Sequence, residues 1–140
     1  WECDNSKFQS GHQGACMPPR RQKLCIKKLT KLNGNDTTKL RETLIKCAAV
    51  ETFFAWQYYK KTSGQSGNVE TQLQSGTIPE DFKRQMFYTL GDFRDLILDT
   101  DISAKRKNPN GKTDVGKAVE NIKKILDKKD GQAGGTQTTP

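Results

Sequence analysis

Two cysteines set around a Pro-Pro pair and a dense positive charge constrain this chain more than any other feature. They lie in the segment Ala15-Cys16-Met17-Pro18-Pro19-Arg20-Arg21-Gln22-Lys23-Leu24-Cys25. Proline fixes φ and disfavours helical backbone in the residue before it, so Cys16 is expected on an extended arm while Leu24 and Cys25 can enter a helix. The segment reads as a stapled arm leading into a helical body.

With 140 residues the chain has room for one domain core, or part of one. Its hydrophobic fraction of 32% is low, against a typical usage of roughly 45–50% in a reference that also counts glycine, which implies large solvated loops. A net charge of +8 argues for an acidic partner: nucleic acid, anionic lipid or a sulfated glycan. Cys3, Cys16, Cys25 and Cys47 all fall in the first third, with no CxxC pair and no histidine at zinc-ligand spacing. That usage favours a disulfide framework outside the cytosol over a metal site. The most hydrophobic region, Leu44 to Tyr59, is interrupted by Lys46 and Glu51 and falls short of the ~18 apolar residues a span requires, so no direct membrane insertion is expected. The opening Trp1-Glu2-Cys3 has no signal-peptide pattern, and the chain is expected to be a segment excised from an extracellular protein.

Residues 1–19 hold Gly11, Gly14, Pro18 and Pro19 with few aliphatics, and need cross-linking to keep a shape. Leu24, Ile26, Leu29 and Leu32 predict a short helix over Gln22 to Leu32, closed by Asn33-Gly34. A long helix is predicted from Thr37 to Lys61, N-capped by Asp36, with Lys60 and Lys61 at its negative end. Phe53, Phe54, Trp56, Tyr58 and Tyr59 encircle its lower half and are assigned to the core. Thr62 to Gly76 is Ser/Gly/Gln-rich and reads as a mobile surface loop. Thr77 and Glu80 form a capping-box pattern ahead of a helix of about 20 residues, with Phe82, Met86, Leu90, Phe93 and Ile97 as its stripe and Gly91 as a point of close helix packing. Residues 103–113 make a basic turn-rich loop. A last helix is predicted from Asp114 to Lys129, with Val115, Val119, Ile122 and Leu126 on one face, and the tail from Gly131 to Pro140 reads as a flexible linker.

These blocks resemble a Duffy-binding-like domain, the adhesive module of the malaria-parasite erythrocyte membrane protein family and of related red-cell invasion ligands. The resemblance rests on Trp1-x-Cys3, on Ala15 to Cys25, and on Lys46-Cys47-Ala48-Ala49-Val50-Glu51-Thr52-Phe53-Phe54 with Trp56 and Tyr58-Tyr59-Lys60. It continues through Gly76-Thr77-Ile78-Pro79 and Phe87-Tyr88-Thr89-Leu90-Gly91-Asp92-Phe93-Arg94-Asp95 to Thr100-Asp101-Ile102. It covers most of residues 1–102 and becomes compositional from 103 to 140. It implies an all-α, helical-bundle fold with an irregular, disulfide-stapled N-terminal arm. Residues 1–32 would end a first subdomain and 33–140 would begin a second, with the remaining half of the same domain as a partner. It also implies a Cys3–Cys16 bond, with Cys25 paired upstream of Trp1 and Cys47 paired with a later cysteine. The residues alone leave the rival Cys25–Cys47 pairing open.

Arg20, Arg21, Lys23, Lys27, Lys28 and Lys31 place six cations within twelve residues. The arginines are assigned a structural role, pinning the arm to carboxylates such as Asp92 or Asp95, and the lysines are left as a candidate anion or receptor surface. Lys105, Arg106, Lys107 and Lys112 form a second candidate. Trp56, Phe87 and Phe93 are assigned structural roles with Asp92. His12 lies beside no nucleophile motif, and Asp92, Asp95, Asp99 and Asp101 lack the glycine pattern of a calcium loop, so neither an enzyme nor a metal or other cofactor is expected. Asn35-Asp36-Thr37 is a formal glycosylation sequon that a member of the resembled family is expected to use little.

The resemblance implies a non-enzymatic adhesion module exposed on the surface of an infected erythrocyte, as the ectodomain of a membrane-anchored variant antigen. Its partner would be an endothelial protein receptor such as the intercellular adhesion molecule. Sulfated glycosaminoglycan (chondroitin or heparan sulfate) and immunoglobulin are the alternatives within the family. A basic helical nucleic-acid binder is the alternative of another class, disfavoured by the cysteine arm and by the lack of a reading motif.

Overall fold

The computed structural model describes residues 4–9, 11–12, 16–63, 66–106 and 111–133. In chain order they form a 3-10 turn (Asn5–Lys7), α1 (Pro19–Gln22), a second 3-10 turn (Leu29–Lys31), α2 (Thr37–Thr62), α3 (Ser66–Gln74), α4 (Glu80–Leu98) and α5 (Asp114–Ala133). Among the described residues there is no strand, only the isolated antiparallel bridges Phe8–Ser103 and Arg106–Lys112. The fold is all-α.

Helix α2 starts where Asp36 Oδ1 accepts the N–H groups of Thr38 (2.9 Å) and Lys39 (3.1 Å), which satisfies two donors that have no partner within the helix. It runs antiparallel to α4. Trp56 and Tyr59 at its lower end meet Phe82 at the start of α4, with ring centroids at 4.9 and 5.4 Å, while Leu40 and Cys47 at its upper end join Phe93 and Leu96. The upper cluster is the main core. Leu29, Leu96, Ile122 and Ile125 are almost fully enclosed there, so the second 3-10 turn, α4 and α5 share one apolar interior with α2. The Asn121 side chain reinforces this joint by donating to the carbonyls of Leu29 and Thr30, both at 3.1 Å.

Several elements differ from the sequence expectation. No helix spans Gln22 to Leu32. Leu24 and Ile26 are buried on either side of exposed Cys25, the alternation of an extended segment, and the Cys25 N–H goes to Glu51 Oε1 (2.9 Å), away from any helical carbonyl. The stretch expected as a loop over Thr62 to Gly76 contains α3, anchored by Val69 against Trp56 and Phe82. One buried aliphatic is enough to dock a short helix whose composition is otherwise that of a loop. The capping box does not form. Helix α4 begins at Glu80 with extended Pro79 as its N-cap, and the Thr77 N–H is taken by Gln72 O (2.9 Å). Proline holds Ile78 out of helical backbone, so the helix cannot start earlier. Helix α5 continues past Lys129 to Ala133, while residues 134–140 of the expected linker lie outside the described residues.

The aromatic girdle of α2 is only half in the core. Trp56 is buried and Tyr59 partly so, but Phe53, Phe54 and Tyr58 are exposed, as is Phe87 of α4. Gly91 is likewise no point of close packing, since a Cβ there would meet nothing within 4 Å. Its backbone is helical, so Gly91→Ala should stabilise the chain by about 0.8–1 kcal/mol through helix propensity alone. Thermal unfolding checks this, and an unchanged or lowered midpoint would refute it.

Candidate functional site

The arm and the helical body meet in one joint. Residues 7–9 run antiparallel to 102–104, with Gln9 N–H to Ile102 O (2.9 Å) and Ala104 N–H to Lys7 O (2.7 Å). The Gln9 side chain adds bonds to the carbonyls of Asp101 (3.1 Å) and Ser103 (3.3 Å). Beneath this pairing Arg21 Nε donates to Asp101 Oδ1 at 3.0 Å and its Nη2 to Ser103 Oγ at 3.3 Å, while Asp101 Oδ2 takes the Ser103 N–H at 3.1 Å. Both ionic side chains are 7% exposed, so the pair is held in a dry setting with its geometry fixed on both sides. Arg20 pairs with Asp92 and lies 5.5 Å from the Tyr88 ring centroid. Burial pushes the Asp92 carboxyl above its ordinary range, with the Arg20 hydrogen bond and charge pulling the other way.

The candidate cations do not converge. Lys105 pairs with Asp99 and Lys112 with Glu120, and Lys27 Nζ lies 4.0 Å from Asp114. Lys23, Lys28 and Lys31 are exposed, and Arg106 is exposed without an ion pair among the described residues. Lys107 lies outside the described residues. Of the other carboxylates, Asp95 accepts the Thr100 hydroxyl (3.0 Å) and Asp81 the Tyr59 hydroxyl (2.7 Å), which holds Asp81 below its ordinary pKa. Among the described residues no group of three or more His, Cys, Asp or Glu side chains is placed to hold a metal.

Cys16 is held in a disulfide, and its expected partner Cys3 lies outside the described residues. Cys25 and Cys47 are free thiols, the first exposed and the second buried. Burial is the main cause that pushes the Cys47 thiol up, with the neighbouring Cys25 adding to it, so Cys47 is a poor nucleophile at neutral pH.

An apolar surface between the helices was missed by sequence reasoning. A groove of about 600 Å³ runs between α2, α3 and α4, lined by Ile45, Phe53, Trp56, Leu73, Phe82 and Met86 among others, with no charged side chain in its wall. On other faces of the helices, α2 exposes Phe54 and Tyr58, and α4 exposes Phe87, Tyr88, Leu90 and Leu98, with Tyr58 and Phe87 at 70% and 69%. Large exposed aromatics of this density mark a surface that meets something other than water. Spacing revealed the aromatics, but not which of them the fold leaves uncovered. No described helix is long and apolar enough to cross a membrane.

Comparison with known proteins gives this architecture a family. The chain is 30% identical over 106 residues to the Duffy receptor of Plasmodium vivax (strain Salvador I), an alignment covering 73% of this chain and 9% of that protein. It is 28% identical over 113 residues to the Duffy receptor beta form of Plasmodium knowlesi, covering 73% of this chain and 8% of that protein. It thus spans less than a tenth of the length of these curated relatives. No solved structure matches it. The family model for the Duffy binding domain matches residues 14–139, which takes in the Arg21–Asp101 pair, the apolar groove and α1 to α5, and the chain belongs to that family.

Proposed function

We propose that this chain is part of a host-receptor-binding adhesion module of a parasite variant surface antigen, displayed on infected erythrocytes. Its partner in this reading is an endothelial protein receptor such as the intercellular adhesion molecule. Family membership supports adhesion over catalysis. The observation that carries the choice of a protein partner is the contrast between the two surfaces. The groove wall carries no charged side chain and exposes Phe53 and Leu73, whereas Lys27, Lys105 and Lys112 each face a carboxylate and leave only scattered cations. A polyanion requires a dense track of unneutralised charge, and a protein receptor requires buried aromatic anchors.

In the same reading residues 1–32 close one subdomain and 33–140 open the next, with the rest of the domain packed alongside. Cys16 pairs with Cys3, and Cys25 and Cys47 pair with cysteines outside residues 1–140, which the two free thiols leave room for.

Surface plasmon resonance on the full native domain over an immobilised receptor ectodomain tests the reading. Phe53→Ala and Leu73→Ala, both at exposed positions in the groove wall, should each weaken binding about fivefold or more, as expected for apolar anchors at an interface. The affinity should change little between low and physiological salt. A loss of several orders of magnitude over that range, with both alanine variants binding like the parent, would overturn the protein-receptor reading in favour of a sulfated glycan.

A further inference from the structure

The link between the second 3-10 turn and α2 contains a side chain that the fold leaves unused. Asn33 and Gly34 are both exposed, and neither the Asn33 carboxamide nor the Gly34 N–H makes a hydrogen bond among the described residues. Their neighbours are all committed. Leu32 is buried in the main core, Asn35 Oδ1 accepts Lys128 Nζ at 2.7 Å, and Asp36 caps α2. Gly34 has φ +82, a backbone that glycine takes without cost, and a Cβ built there would meet nothing within 4 Å.

Those conditions suit an intramolecular reaction. The side-chain carbon of an asparagine can close a five-membered ring with the backbone nitrogen of the next residue, provided that nitrogen is free of hydrogen bonds, unhindered, and able to rotate towards it. Asn35, Asn68 and Asn121 each fail. Asn35 precedes Asp36 and is held by Lys128. Asn68 and Asn121 lie inside α3 and α5 ahead of the β-branched Val69 and Ile122, and Asn121 also spends its amide on the carbonyls of Leu29 and Thr30. The dipeptide recurs at Asn110-Gly111, where Asn110 lies outside the described residues.

We infer that Asn33 is a site of spontaneous deamidation, with water as the co-reactant. The Gly34 nitrogen attacks Asn33 Cγ and gives up its proton, the bond from Cγ to the side-chain nitrogen breaks, and ammonia leaves behind a succinimide. Water then opens the ring at Cγ to give aspartate, or at the main-chain carbonyl to give isoaspartate. Either product replaces a neutral side chain by a carboxylate and lowers the net charge of +8 by one. The new charge lies between Lys31 and the positive end of α2, where an anion is favoured. Isoaspartate also inserts a methylene into the backbone between buried Leu32 and the Asp36 cap. The site is separate from the apolar groove and stands whatever the receptor is.

Ageing the full native domain at mildly alkaline pH beside a synthetic peptide of residues 31–37 tests the inference. Peptide mass spectrometry with electron-transfer fragmentation follows each asparagine and separates aspartate from isoaspartate. Asn33 of the folded domain should convert at a rate within about tenfold of the peptide's, because the fold adds little to the barrier, while Asn35, Asn68 and Asn121 remain amides. Gly34→Ala, which places a Cβ beside the attacking nitrogen, should slow conversion about tenfold. It is made in the peptide as well as in the domain, so that strain on the folded turn is not taken for slower chemistry. The site is refuted if Asn33 in the folded domain lags the peptide by more than about tenfold, if Asn121 converts as fast as Asn33, or if Gly34→Ala converts like the parent in the peptide.

Discussion

Asp101→Asn should cost the chain about 3–5 kcal/mol, the largest loss expected from any single polar substitution here, because it leaves a buried guanidinium without its counter-charge. Arg21 and Asp101 are each 7% exposed, and the carboxylate also holds the Ser103 N–H. Water therefore cannot replace what the carboxylate supplies. Asn keeps the shape and one acceptor but loses the charge, so the cost measures the unpaired ion and does not arise from a cavity. Removing both charges, as in Arg21→Met with Asp101→Leu, should recover most of the stability, since the pair's attraction is offset by the desolvation of its two ions. The more exposed Lys105–Asp99 pair provides the contrast, and Asp99→Asn should cost no more than about 1 kcal/mol. Urea unfolding of the three variants decides the matter. A midpoint for Asp101→Asn close to the parent would mean that the joint is open to solvent.

Gly116→Ala should destabilise by about 1–3 kcal/mol, the reverse of the gain expected at Gly91. An added Cβ would lie 2.2 Å from Lys105 O, with Lys105 C at 3.0 Å and Cα at 3.2 Å. All three atoms are backbone, so no side chain can swing aside. Relief requires α5 to move away from residues 104–105, which would break the Thr113 bonds to Ala104 and Lys105. Differential scanning calorimetry should register a lower midpoint, and hydrogen exchange should quicken at the amide of Thr113. A variant as stable as the parent would show that the first turn of α5 can shift without penalty.

The long elements were legible because their signals are local. Asp36 before a helical stretch, the spacing of Phe82, Phe93 and their neighbours, and the apolar face of α5 each encode a helix within its own span. What escaped depended on distant partners. Leu24 and Ile26 fit a helix and an extended segment equally well, and a bond from Cys25 to Glu51 decides between them. Val69 is an isolated aliphatic in its own segment, and it holds a helix only because Trp56 and Phe82 surround it. Phe53, Phe54, Tyr58 and Phe87 have the composition of a core, and only tertiary placement leaves them uncovered by any described element. Of the candidate sites, the arginine segment and its tie to Asp92 were legible, while the carboxylate that neutralises Arg21 was not. That partner stands 80 residues away.

The pairing of residues 7–9 with 102–104 also bears on the order in which the chain gains structure. Joining segments more than ninety positions apart closes a very long loop, and the entropy lost in doing so returns little until α4 and the turn after it are already in place. Helices α2 and α4 are near neighbours in sequence, but α5 is tied by Asn121 to Leu29 and Thr30, a joint that spans 91–92 residues and closes at a similar cost. The arm and the second 3-10 turn thus both join the bundle late, and a nascent chain must keep its most cationic segment solvated until α5, which completes the core around Leu29, has been made.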